Sequence, residues 1–131
     1  MGISLVAQTK DMLKVVATAA RVCYSGLPVD ELLSKFSDED NEKLVKKVVG
    51  MGHLSVIEHG VMTFFVPDSF KEELFEIMME KPFLRISKRD GGFLVSLNLR
   101  TMVELINEMP RLEFSKELRK FLPSFLKEVV R

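Results

Sequence analysis

Both histidines of the chain lie in one nine-residue stretch, GHLSVIEHG (52–60), together with a serine and a glutamate. Imidazole, hydroxyl and carboxylate groups so close together suggest metal binding, a piece of an active site, or an anion held at a helix start. Spacing argues against a metal. Two histidines that share an ion from one helix sit three or four residues apart, so that both rings leave the same face. His53 and His59 are six apart, and no third histidine or nearby cysteine joins them. No metal site is expected, and each histidine is assigned a hydrogen-bonded structural role. Ser55 and Glu58 have the S-x-x-E spacing of a capping box, in which the hydroxyl and the carboxylate each bond a free amide of a first helical turn. The same free N–H groups, aligned with the helix dipole, make an anion site suited to a phosphate. The stretch is therefore a helix start, either simply capped or facing an anion.

A second polar pair, Asn98 and Arg100, falls where a β-rich run gives way to a helical one. Asn98 is an ordinary N-cap residue. Arg100 lies in the first turn, against the preference of the helix dipole. Either it is a surface arginine, or it is there to hold an anion. Cys23, the one cysteine, falls on the apolar side of a predicted helix with no histidine or charge run near it in sequence. It is expected to be buried and inert. A single cysteine also excludes an intrachain disulfide and a multi-cysteine zinc site.

Hydrophobic periodicity supplies the elements that position these residues. ISLVAQ (3–8) is a first strand, and Thr9 caps a helix running to about Tyr24. Pro28 opens a short helix through Phe36. Ser37 starts another, DEDNEKLVKKVV, with acids in its first turn and lysines in its last, as the dipole prefers; Gly50 and Gly52 end it. GVMTFFV (60–66) reads as a strand buried on both faces. Ser69 and Glu72 repeat the capping-box spacing, predicting a helix to about Glu80 whose IMME segment (77–80) packs a core. FLRISKRDGGFLVSL (83–97) is a hairpin signal, with glycine at Asp90-Gly91-Gly92 allowing the positive φ of a tight turn. Asn98 then caps a helix with Leu99, Met102, Val103 and Ile106 on one face, closed by Pro110. Ser115 begins a last helical stretch interrupted at Pro123. The order predicts one α+β domain over residues 1–131, a small, mostly antiparallel sheet packed with helices.

Composition agrees with a folded chain: 47% of the 131 residues are apolar and 29% charged. Nineteen basic and nineteen acidic residues cancel, so no polyanion-binding field and no nucleic-acid polymer partner is expected. No run reaches the ~18 apolar residues of a membrane span. The N-terminus lacks a basic region followed by a long apolar run. The expected compartment is the cytoplasm.

Three segments, AARVCYSG (19–26), GHLSVIEHGVMTFFV (52–66) and FLVSLNLRTMVEL (93–105), resemble in order three segments of the flavin-dependent thymidylate synthases. The resemblance implies a homo-oligomer, a tetramer or dimer, with FAD and a nucleotide lying between subunits. That family transfers a methylene group from methylenetetrahydrofolate to dUMP and reduces it through FAD and NADPH to give dTMP. Carried over by position, Ser55 and Glu58 would touch FAD, and His53 would line the same cleft. Asn98 and Arg100 would hold the flavin, and Cys23 would lie close to the cofactor phosphates. No metal is implied.

The chain also departs from the family pattern. The family's Arg-His-Arg triplet falls on Met78, Met79 and Glu80, and its first following serine on Phe83. Only Arg85 and Arg89 lie in that region, and an internal segment is missing after about residue 90, where the RDGG turn stands. The family's second flavin asparagine corresponds to Glu104, and its uracil-gripping arginine to Met109, with Arg111 close by. A dianionic phosphate needs charge-assisted bonds from cations. A donor at the oxygen where charge develops is typically worth ~3–4 kcal/mol. The expectation is a shortened, divergent member that keeps the scaffold and part of the flavin cleft without performing the full reaction alone. A partner chain that supplies arginines, a non-catalytic FAD- or nucleotide-binding module and an interaction scaffold are the alternatives.

Overall fold

The computed structural model describes residues 2–23 and 25–131; Tyr24, the expected end of the first helix, lies outside them. In chain order the elements are β1 (Ser4–Gln8), α1 (Met12–Val22), α2 (Val29–Ser34), α3 (Asp38–Gly50) and a 3-10 turn (Leu54–His59). They continue with β2 (Val61–Pro67), a short 3-10 turn (Asp68–Phe70), α4 (Lys71–Glu80), β3 (Arg85–Arg89) and β4 (Gly92–Asn98). α5 (Leu99–Glu108), α6 (Glu113–Lys120) and a 3-10 turn (Ser124–Val129) complete the chain. The strands form one antiparallel sheet in the order β1-β2-β4-β3, so the α+β architecture is the one expected.

The register of β2 on β4 runs unbroken from Val61 opposite Asn98 to Pro67 opposite Gly92. At one end it brings the 54–59 turn against the start of α5, where the Gly60 carbonyl accepts the Leu99 amide at 2.9 Å. Gly60 is required there for space. A Cβ on it would lie 2.6 Å from Met12 Sδ and 2.7 Å from Leu99 Cδ1. At the other end, Gly91 adopts the positive φ (80°) that the hairpin turn needs, while Gly92 is pressed against the Val66 carbonyl.

The core gathers on one face of the sheet around Phe64, Ile57, Leu99, Leu105 and Phe114. β2 is therefore not buried on both faces. Met62, Phe64 and Val66 point into the core, whereas Val61 is exposed and Thr63 and Phe65 are half-buried. The outer face carries a hydroxyl pair, Thr63 with Ser96, at 2.7 Å. Alternation of apolar residues in both phases does not by itself reveal which face lacks a covering layer.

Local chemistry decides the helix starts, and distant partners override some of the expected ones. Ser37 and Asp40 form the reciprocal capping box at α3. Thr9 does not cap α1; its hydroxyl accepts the Val61 amide at 2.9 Å, tying β1 to β2, and α1 begins after Asp11 in a left-handed conformation. Ser69 and Glu72 form no capping box, because a 3-10 turn occupies Asp68–Phe70. Glu73 instead reaches across the fold and accepts the Glu113 and Phe114 amides at 3.0 and 2.8 Å, capping α6 from outside. Ser115 lies inside α6, not at its start, and donates to the Leu105 carbonyl at 3.2 Å. Of the 77–80 segment only Ile77 packs in the core; Met78 is exposed and Met79 is 87% exposed. Among the described residues no helix is long and apolar enough to cross a membrane.

Candidate functional site

Two clefts meet at the N-terminal end of α5, and Arg100 lines both. The first has a volume of about 300 Å³ and is bordered by Glu58, Asn98, Arg100 and Glu104. The second, about 260 Å³, is bordered by Cys23, His53, Ser55 and Arg100. All five residues expected at the site therefore line these two clefts: Glu58 and Asn98 the first, His53 and Ser55 the second, and Arg100 both.

The β2–β4 register makes this meeting possible. It holds Asn98 beside Val61, and the Asn98 Oδ1 accepts the Thr101 amide at 2.9 Å, the N-cap expected. Its amide nitrogen makes no hydrogen bond among the described residues and remains a donor. One turn of α5 then carries Arg100, whose Nη1 donates to Glu58 Oε2 at 2.6 Å and whose Nε lies 3.4 Å from Glu104 Oε2. The bond to Glu58 outweighs desolvation and raises the Arg100 pKa above its usual value. The anion that explains Arg100 in its first turn is thus a pair of the protein's own carboxylates.

The capping box expected of Ser55 and Glu58 is not formed. Leu54–His59 is a 3-10 turn of six residues with His53 at the cap position and no side-chain cap bond. Its i to i+3 geometry is tighter and poorer than an α-helix, and Glu58 is drawn away to Arg100 across the fold. The phosphate-binding helix start therefore has no basis in the fold. The histidines differ from expectation too: both rings are exposed and neither makes a hydrogen bond among the described residues. His59 lines neither cleft. Among the described residues no group of three or more metal-binding side chains assembles. Cys23 is exposed, not buried, at the end of α1, with its thiol 3.6 Å from the Ala19 carbonyl.

Sequence reasoning missed Lys81, Phe83 and Thr101, which also line the first cleft. Lys81 reaches it from the end of α4 and lies 3.4 Å from Glu104 and 3.1 Å from Glu108. Burial alone would lower its pKa, but the bonds to Glu108 and Glu104 raise it. The i,i+4 spacing of Arg100 and Glu104 is the one signal in the sequence that points to part of this network. Arg111 pairs on the surface with Glu76, and neither it nor Met109 lines either cleft.

A family described as thymidylate synthase complementing protein matches residues 4–70, just over half of the chain. The chain belongs to this family. A flavin-dependent thymidylate synthase of Geobacter sulfurreducens is 42% identical over 64 residues, which covers 49% of this chain and 28% of that protein. The one of Clostridium tetani is 39% identical over 62 residues, covering 47% and 25%. The chain thus spans about a quarter of the length of the curated relatives it matches. In fold it is similar to the flavin-dependent thymidylate synthase of Helicobacter pylori, crystallised in complex with FAD and dUMP. That match has a TM-score of 0.63 and 13% identity and covers 100% of this chain and 98% of the other. The family's fold therefore extends through the whole chain, while its sequence signal ends before α4. His53, Ser55 and Glu58 lie within the stretch matched in sequence; Asn98 and Arg100 lie beyond it.

Proposed function

We propose that this chain is a flavin-nucleotide-binding member of its family, working as a cytoplasmic homo-oligomer, that does not make thymidylate by itself. The observation that carries this reading is the convergence on Arg100. Two clefts lined by five side chains from two parts of the chain share one guanidinium that the family resemblance also assigns to the flavin.

The residues present fit part of a flavin dinucleotide. Each cleft is near the lower limit of ligand pockets, which span about 300–1,000 Å³, so a dinucleotide would use both. Ser55 offers a hydroxyl, Asn98 an amide donor, Arg100 a cation and Phe83 an aromatic face. Bound FAD would supply a carrier of two electrons. The chain's own residues would bind and orient it, with Glu58 holding Arg100 in place and His53 bordering the open side.

The residues present do not fit dUMP. At the positions of the family's cationic triplet stand two exposed methionines and Glu80, whose charge opposes a phosphate. Arg111, the alternative to Met109 for gripping a uracil, is already paired with Glu76. The oligomeric part of the reading is supported by Phe75, Met78 and Met79, which lie at i, i+3 and i+4 on α4 and are all exposed.

The test is a pair of measurements on the purified protein. FAD is expected to bind, while calorimetry with dUMP shows no heat and the complete reaction mixture yields no dTMP. dTMP formed by the chain alone would overturn the non-catalytic part. Failure to bind FAD would overturn the whole.

A further inference from the structure

Within the first cleft, Glu104 stands between two cations. Its Oε1 lies 3.4 Å from Lys81 Nζ and its Oε2 lies 3.4 Å from Arg100 Nε. One carboxylate therefore occupies the position that an incoming carboxylate or phosphate would seek. Both neighbours are further engaged, Lys81 by Glu108 at 3.1 Å and Arg100 by Glu58 at 2.6 Å. Lys81 and Glu104 are only 18% and 23% exposed, so water screens this pair less than the surface pairs elsewhere on the chain.

Lys81 and Arg100 are balanced by Glu58 and Glu104 on the walls of the cleft, and Glu108 adds a further negative charge to Lys81. A ligand phosphate placed against Arg100 would meet Glu104 at close range, and repulsion between like charges at such distances is substantial in a partly buried site. The remaining lining is uncharged: Asn98, Thr101 and the ring of Phe83, which is 69% exposed. An aromatic face beside neutral donors and acceptors suits a planar uncharged ring system.

We propose that Glu104 sets the charge selectivity of this cleft. It acts as a built-in anion between Lys81 and Arg100, so the cleft admits an uncharged heterocyclic ring and rejects phosphate. Naming a flavin ring as that ligand rests on the functional reading above; the charge selectivity rests on the side-chain geometry alone.

The experiment compares wild type with Glu104→Gln, using riboflavin as the uncharged probe and inorganic pyrophosphate as the anionic one, each titrated by calorimetry. Glu104→Gln is expected to strengthen pyrophosphate binding by about tenfold or more while riboflavin affinity moves by less than about twofold. Adding Lys81→Gln in the same chain returns pyrophosphate binding toward the wild-type level. Thermal melting checks that each variant is folded. Unchanged pyrophosphate binding in folded Glu104→Gln, or equal gains for both probes, overturns the proposal. Wild-type protein that binds no riboflavin counts against the flavin reading, and the pyrophosphate arm then still decides the role of Glu104. Should Glu104→Gln fail to fold, the wild type alone decides: pyrophosphate affinity above that for riboflavin contradicts the inference, and pyrophosphate affinity below it supports the inference.

Discussion

Arg100 and Glu58 are 42 residues apart in the chain and 2.6 Å apart in space. The bond spans the seam between the half of the chain that keeps the family's sequence and the half that keeps only its fold. It exists because β2 pairs with β4 in a register that ends at Val61 and Asn98, setting the 54–59 turn beside the first turn of α5. The same pair fixes the guanidinium where both clefts open.

Removing that guanidinium should matter more than removing a nearby histidine. Arg100→Ala is expected to weaken FAD binding by about tenfold or more, the scale of a lost charged hydrogen bond. His59→Ala, at an exposed ring outside both clefts, should change it by less than about twofold. Fluorescence titration with FAD compares the two, and equal or reversed losses would contradict the assignment of the clefts.

Cys23 gives a direct chemical report on the second cleft. As an exposed thiol it should react fully with a disulfide reagent in the native protein, without denaturant. Bound FAD should slow that reaction if the ligand occupies the cleft shared by Cys23, His53 and Ser55. A thiol that reacts only after unfolding would contradict the placement of α1.

How much of this was legible in the sequence depends on the range of the interaction. The Ser37 helix start, the RDGG hairpin and the Asn98 cap are decided within four residues, and each stands as the pattern predicts. Ser55 and Glu58 have the right spacing for another box, yet a distant arginine takes the carboxylate, and no local rule contains that competitor. Cys23 and Met79 sit on helices with apolar patterns, but whether another element covers them is a tertiary fact. Lys81 was illegible for the same reason. It follows a helix end as an ordinary lysine would, and only the packing of α4 near α5 turns it into a wall of the cleft.

Two glycines should respond to alanine in proportion to what their new methyl groups meet. At Gly92 a Cβ would lie 2.3 Å from the Val66 carbonyl oxygen, a backbone atom that cannot give without shifting β2. Gly92→Ala should cost about 2–3 kcal/mol. Gly60→Ala meets the movable ends of Met12 and Leu99 and should cost about 1–2 kcal/mol. Urea denaturation gives the order; a milder effect at Gly92 than at Gly60 would contradict the register at the hairpin end.

Acid should weaken the tie between the N-terminal strand and α6. Glu117 is held below the usual carboxylate pKa, chiefly by its bond to Lys120 and also by the Ile3 amide, which donates to it at 3.1 Å. Because the folded value lies below the unfolded one, the contribution is full above the unfolded value and is lost as pH falls through the folded value. Glu117→Gln should therefore be less stable than wild type near neutrality, by under about 1 kcal/mol. The gap should narrow as pH falls below about 4.5, the unfolded carboxylate range. Denaturation midpoints across that range check it, and a gap that stays constant would show that the charge of Glu117 is not what matters.

Whether the clefts around Arg100 take a flavin at all is the deciding point. Titration of the purified chain into FAD, followed by flavin fluorescence, measures this directly. A saturable change with one flavin per chain, weakened in Arg100→Ala, is the predicted result. Fluorescence that stays at the free-FAD value throughout the titration, with no rise in melting temperature on adding FAD, would contradict it.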